Sequence, residues 1–322
     1  MLIYLASILS GFVLLVWGAD RFVIGAAATA HNLGVSSLLI GLTVVGFGTS
    51  APEILVSINA AMADNPHLAV GNALGSNIAN IALILGITAL VRPLRVRSLT
   101  LRREMPVLLA VTLLTLLPFL DLNLSRAEGF ALLSGLGLMM YWLVRVELES
   151  TPGDPMVAEV EAEIRSDLSM RQALGMLLLG LVVLLAASRL LVWAATNVAT
   201  ELGVSDLVIG LTIVAIGTSL PELAASITAA VKDEHDLAIG NVIGSNMYNL
   251  LAVLGFAAAI APTDLERAVL TRDFLVLIGL TIALFAMAYN VGGDEGNIKR
   301  SEGAALLLAY TGYMGFLLVD QL

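Results

Sequence analysis

Two stretches of this chain are near copies of each other. Residues 41–53 read GLTVVGFGTSAPE, and residues 210–222 read GLTIVAIGTSLPE. A second matched pair follows, GNALGSNIAN at 71–80 and GNVIGSNMYN at 240–249, at the same offset of 169 residues. Aligned without a gap, residues 41–90 and 210–259 share 25 identities in 50 positions. Self-similarity at one fixed offset is an internal duplication. The chain must therefore fold as two like units, and each copied motif must work in both.

The solvent of that fold follows from what surrounds the motifs. Hydrophobic residues make up 58% and charged residues 13% of the chain, and the mean hydropathy is +0.94. A soluble domain carries about twice as much charge. Apolar runs of about 18 or more residues recur, each long enough to cross a hydrocarbon core of about 30 Å. The sequence predicts an all-α polytopic membrane protein, since no alternation of the β-barrel kind is present. Ten spans are expected, near 3–30, 36–63, 68–91, 105–121, 127–145, 171–199, 206–231, 237–261, 273–290 and 303–320. No basic residue precedes Arg21, and the first apolar run is too long for a signal peptide, so it reads as a span and not a cleaved leader. There is no cysteine, so disulfides and thiol chemistry are excluded. A net charge of −10 argues against nucleic acid as a partner. The partner that the composition calls for is the lipid bilayer, and nothing implies an obligate protein partner.

The one polar connector, 148–170, holds Asp154, Glu159, Glu161 and Glu163. It is too short for a domain of its own. It divides the chain into a first five-helix repeat, 1–147, and a second, 171–322. Five is odd, so the second repeat enters the membrane from the opposite side. That predicts two inverted five-helix repeats, an architecture of secondary transporters that place their substrate at the midplane. Lysine and arginine set the orientation. One side holds Arg92, Arg95, Arg97, Arg102, Arg103, Arg145, Arg165, Arg171, Lys232, Lys299 and Arg300, and the other only Arg126, Arg267 and Arg272. The asymmetry puts the connector in the cytoplasm and both termini outside.

Glu53 and Glu222 each fall near the middle of a span. A mid-membrane carboxylate costs several kcal/mol unless it is paired or ligates something. Two carboxylates brought together repel, and their natural partner is a cation. The competing explanation is a structural salt bridge to Arg21 or Arg189. The neighbours of the acids favour the cation. Thr49, Glu53 and Ser57 lie four apart on one helix face, as do Thr218, Glu222 and Ser226. Pro52 and Pro221 cannot donate to the carbonyls of Gly48 and Gly217, so the helices are expected to break there and expose main-chain oxygen. Asn72, Ser76 and Asn80 form a polar stripe matched by Asn241, Ser245 and Asn249; as glue between helices such a stripe is ordinary, but glue does not account for two carboxylates. Gly71 with Gly75, and Gly240 with Gly244, read as close helix packing. An all-oxygen donor set with no cysteine or histidine suits Ca²⁺ or Na⁺, while Mg²⁺ gives up its water reluctantly. Two glutamates neutralise one Ca²⁺ or two Na⁺.

The paired GTSxPE and GNxxGSNxxN motifs resemble the α-repeats of the Ca²⁺/cation antiporter superfamily, in particular its compact bacterial and archaeal Na⁺/Ca²⁺ exchangers. The resemblance covers essentially the whole chain. It implies a bacterial inner membrane, transported Ca²⁺ and Na⁺, no cofactor, and access alternated by sliding of the first and sixth spans. It implies Glu53 and Glu222 as acids shared by both ions. Thr49 and Thr218 would add carbonyls and hydroxyls, Ser50 and Ser219 hydroxyls, and Gly46 and Ala215 main-chain carbonyls. Ser76 and Ser245 would ligate flanking Na⁺, and Asn80 and Asn249 would line the centre. Some relatives have an aspartate at one of these last two positions; here both are Asn.

Three other functions compete. A Ca²⁺/H⁺ antiporter would use the same two glutamates as proton carriers. An intramembrane enzyme would need a motif such as HExxH or a Gly-x-Ser-x-Gly elbow, and neither is present. A passive channel would not need two carboxylates on broken helices. His31, His67 and His235 lie at span ends or in loops and read as interfacial.

Overall fold

The structure, a computed structural model, describes residues 1–33, 46–96, 98–148, 168–289 and 296–320. The start of the first copied motif, Gly41 included, most of the connector, Arg97 and Arg165 lie outside the described residues. The described elements are, in order, α1 Leu2–Asn32, α2 Gly46–Thr49, α3 Ala51–Met62 and α4 Pro66–Val91. After strand β1 (Leu94–Val96) come α5 Leu99–Thr115, β2 Asn123–Leu124 and α6 Arg126–Leu148. The second half holds α7 Met170–Leu202, α8 Asp206–Thr218, α9 Leu220–Val231 and α10 His235–Ile260. It ends with β3 Thr263–Asp264, α11 Val269–Tyr289, β4 Gly296–Ile298 and α12 Arg300–Asp320.

Six of these helices are long and apolar enough to cross a membrane, and the pair α8–α9, bent by 43°, makes a seventh. The helix expected at 105–121 lies at Leu99–Thr115 instead. Ser98 explains the earlier start, because its side chain accepts the Leu101 N–H and so caps the first turn.

The centre of the bundle is α4 and α10, each 78% buried, whereas α1, α7 and α12 keep most of their apolar surface outward. Glycines let the central helices touch. A Cβ on Gly71 would come within 2.3 Å of the Leu207 carbonyl, and one on Gly75 within 2.6 Å of the Leu211 carbonyl. That bears out close packing for the first glycine pair, with α8 of the other half as the neighbour. The equivalents of Leu207 and Leu211 lie outside the described residues, and among the described residues a Cβ on Gly244 would meet nothing within 4 Å, so close packing is not seen for the second pair.

The halves interlock by exchange. Gly86 on α4 packs against Gly303 and Leu307 of α12, and its counterpart Gly255 on α10 packs against Leu133 of α6. Strand β1 pairs antiparallel with β4, Leu94 opposite Ile298, and β2 pairs with β3, Asn123 opposite Asp264. One core runs through both halves and includes Ile78, Leu85, Phe119, Tyr248 and Phe274.

At the periphery α1 and α7 run antiparallel in close contact. Gly11, Gly18 and Gly25, seven residues apart, face Leu191, Leu184 and Leu177 in turn. A Cβ on Gly25 would meet the Leu177 nitrogen at 2.3 Å, and one on Gly180 the Phe22 nitrogen at 2.4 Å.

This pair rests unequally on the two halves. Asn59 on α3 donates to Ser188 at 2.7 Å and accepts from Arg189 at 3.3 Å, while Asn65 donates to Thr196 at 3.2 Å. The equivalent face of α9 is open: Ala224, Ala225 and Thr228 are exposed, whereas Val56 is buried and Leu55 and Asn59 are half-buried.

Candidate functional site

Each copied motif breaks its helix at a serine. Ser50 separates α2 from α3 and Ser219 separates α8 from α9. Proline follows two residues later, inside the first turn, where its missing N–H would have no intrahelical partner anyway. Glu53 and Glu222 stand in those first turns. There the exposed N–H groups and the helix dipole favour negative charge. Both glutamates have no exposed surface at all.

Hydroxyls reach each carboxylate. Ser219 Oγ donates to Glu53 Oε1 at 3.2 Å, across the two halves, and Ser245 Oγ donates to Glu222 Oε1 at 3.3 Å. The Thr218 hydroxyl also lies against Glu53 and that of Thr49 against Glu222. The two acids are close enough to interact electrostatically. In each, Oε2 is buried with no hydrogen-bond partner among the described residues.

Around the acids the bonds come in matched pairs. Thr49 Oγ1 donates to Asn241 Oδ1 at 3.2 Å, and Thr218 Oγ1 to Asn72 Oδ1 at 3.1 Å. Asn72 Nδ2 donates to Ser57 Oγ at 2.9 Å, and Asn241 Nδ2 to Ser226 Oγ at 3.4 Å. Ser57 and Ser226 therefore brace the two asparagines. Ser76 Oγ lies 3.5 Å from Asn72 Oδ1. The Ala215 carbonyl accepts from Ser219 N at 3.1 Å and lies 3.3 Å from Thr218 Oγ1, with Ala215 buried. Gly46, the counterpart of Ala215, opens α2 on the broken helix of the first half.

Asn80 and Asn249 sit in π-helical turns, Ala79–Ile84 and Asn249–Val253. Such turns re-aim side chains and recur at functional sites. Asn80 Oδ1, Ser50 Oγ and both amide atoms of Asn249 are buried without a hydrogen-bond partner among the described residues. Buried polar groups are almost always paired, so partnerless buried oxygens on both carboxylates and on these neutral side chains fit a hard cation.

The salt-bridge alternative fails on geometry. Arg21 lies over the Trp17 ring and 3.8 Å from Asp20, and Arg189 donates to Asn59. Among the described residues no group of three or more His, Cys, Asp or Glu side chains gathers to hold a metal. Whatever binds here relies on two acids and neutral oxygens. His67 approaches Thr263 at 3.4 Å and His235 approaches Asp233 at 3.4 Å, both away from the acids. Two side chains that sequence reasoning does not single out, Asn77 and Asn246, are fully buried beside Asn80. Their place inside GNxxGSNxxN is the one signal that could have found them.

Known proteins resemble the chain over nearly its whole length. A family model described as sodium/calcium exchanger protein matches residues 3–145 and 172–319. The chain is 49% identical over 97% of its length to the putative antiporter CaxA of Alkalimonas amylolytica, covering 98% of that protein. It is 41% identical over 99% of its length to inner membrane protein YrbG of Escherichia coli K12, covering all of it. A solved structure of the sodium-calcium exchanger NCX_Mj, soaked with 100 mM Na⁺ and 10 mM Sr²⁺, superposes with a TM-score of 0.69 at 32% identity over 98% of this chain and 99% of that one.

Proposed function

The chain belongs to the sodium/calcium exchanger family, membrane cation antiporters and not enzymes, and we propose that it exchanges Na⁺ for Ca²⁺ at the paired glutamates. The observation that carries this reading is the pair Glu53 and Glu222, both fully buried and each with one oxygen unpartnered among the described residues. Two negative charges in a water-excluded place match one Ca²⁺ or two Na⁺. Ca²⁺ takes about 6–8 oxygen ligands. Thr49, Thr218, Ser50, Ser219, Ser76, Ser245, Asn80 and Asn249 supply neutral side-chain oxygens, and Gly46 and Ala215 supply carbonyls.

The same charge explains why exchange wins over leak. A site left with two buried carboxylates and no cation carries a desolvation and repulsion cost of several kcal/mol. The carrier therefore changes sides readily only when loaded, and one ion must replace the other. In this reading residues 1–147 and 171–322 are inverted five-helix repeats, ten spans in all. The matched hydrogen bonds and the exchanged contacts of α6 and α12 support that symmetry. The connector is cytoplasmic, both termini lie outside, and the membrane is a bacterial inner membrane.

The test is ⁴⁵Ca²⁺ uptake into proteoliposomes loaded with Na⁺ or with choline at one pH. Uptake should require internal Na⁺ and fall to the level of protein-free vesicles in Glu53→Gln and in Glu222→Gln. Uptake that ignores Na⁺ and follows a pH gradient would replace Na⁺ by H⁺ at the same site. Undiminished flux in either variant would remove the glutamates from the mechanism.

A further inference from the structure

Three buried asparagines, Asn77, Asn80 and Asn246, are bonded where α4 meets α10, with a fourth, Asn249, three residues beyond Asn246, and their bonding differs between the halves. Asn77 corresponds to Asn246 and Asn80 to Asn249, at the offset of 169. Asn80 Nδ2 donates to Asn246 Oδ1 at 3.1 Å. The matched bond would run from Asn249 Nδ2 to Asn77 Oδ1, and it is not made: both atoms are without a hydrogen-bond partner among the described residues. Asn77 instead donates its Nδ2 to the main-chain oxygen of Asn246 at 3.1 Å. All four side chains have no exposed surface.

A carboxamide has two unlike ends. Its oxygen accepts and attracts a cation, and its NH₂ donates and repels one. An asparagine that ligates a cation must keep its oxygen inward. With Asn80 Nδ2 held by an acceptor behind it, Asn80 Oδ1 is turned away from that acceptor and left open. We propose that Asn246 is a positioning residue: its side-chain oxygen holds the Asn80 amide so that the Asn80 oxygen faces the transported cation, while Asn249 is unheld and turns either end to the site. This rests on the reading of Glu53, Glu222 and Asn80 as cation ligands. It adds an inequality between the halves that the near-identical motifs conceal, for cation affinity depends on Asn246 and not on the side chain of its counterpart Asn77.

The chemistry supplies a direct test. Aspartate at position 80 presents oxygen whichever way it turns, so it needs no orienting partner. Ca²⁺ affinity is measured by calorimetry on detergent-purified full-length protein, with thermal unfolding as the check on folding. Asn246→Leu should weaken Ca²⁺ binding by roughly 10–100-fold, as loss of a residue that orients a ligand does. Asn77→Leu should leave affinity within about threefold of the parent. In the Asn80→Asp background, adding Asn246→Leu should cost nothing further. Asn246→Asp keeps an acceptor for Asn80 Nδ2, should bind Ca²⁺ at least as well as the parent, and stands in if Asn246→Leu does not fold. The proposal is overturned by parental affinity in Asn246→Leu, by a penalty that persists with Asp at position 80, or by lost binding in folded Asn246→Asp. Glu53→Gln is the separate control: if it keeps parental affinity, the cation site itself is misplaced, whatever Asn246→Leu does.

Discussion

Among the hydroxyls that link the two halves, one reaches a carboxylate. Ser219, from the second copied motif, donates to Glu53 of the first. A hydrogen bond to a charged group is worth about 1.5–3 kcal/mol. Ser219→Ala should therefore weaken Ca²⁺ binding by roughly tenfold or more without lowering the unfolding temperature much; calorimetry on the purified variant checks it, and unchanged affinity would leave Ser219 as packing alone. At this scale much of the site is legible in the amino-acid sequence. The acids, threonines and serines announce themselves by type, because an oxygen donor in an apolar span has few uses. Arg21 and Arg189 can be rejected only in three dimensions, where each turns to another partner. Asn246 is hidden for another reason. Its role depends on which way a buried amide points at a helix crossing, and that is set by the partner helix and the π-helical turn beside it, not by local sequence.

Helix interiors are legible as hydropathy and helix ends less so. The helix at Leu99–Thr115 starts before the expected position because Arg102 and Arg103, near its start, have the composition of a loop, while the signal that overrides them is one capping serine, Ser98. The short β ladders leave no trace in the sequence, since two or three residues carry no usable alternation. The glycines of α1 gain a meaning only with the partner helix, although their spacing of seven is plain once it is known. They yield a prediction at the scale of the helix pair. Gly25→Leu places side-chain atoms where the backbone of Leu177 already lies. Forcing volume into a packed contact costs about 1–3 kcal/mol or more, so this variant should show a clearly lower unfolding temperature and yield. Gly175→Ala, which meets nothing within 4 Å, should match the parent in the same thermal assay. Equal stability of the two variants would mean that α1 and α7 do not pack as described.

For the whole molecule the testable statement is sidedness. The chain has no cysteine, so single introduced thiols report without background. Asp121→Cys beside β2 and Ser301→Cys at the start of α12 are both at exposed positions. An impermeant maleimide added to right-side-out vesicles should label the first and not the second, and the reverse in inverted vesicles. Labelling of both from one side would end the inverted arrangement. The duplication is what suggests a two-part architecture, and the odd number of spans expected per part is what predicts its inversion. How the parts are seated on each other is not readable, because it depends on residues that the copies do not share.

Those unshared residues have a thermodynamic meaning. Two identical halves related by a twofold axis would give the α1–α7 pair two resting places of equal energy, one on each half. The described structure occupies one of them, on α3, bonded through Asn59, Ser188 and Arg189. The equivalent positions on the other side are Thr228, Ala19 and Asp20. Asn59 and Ser188 thus have Thr228 and Ala19 as counterparts, a pair that cannot repeat the same bond from an amide to a hydroxyl. An α1–α7 pair that moved between the two places would rest by preference on α3, because the bonds that Asn59 makes there have no counterpart on α9.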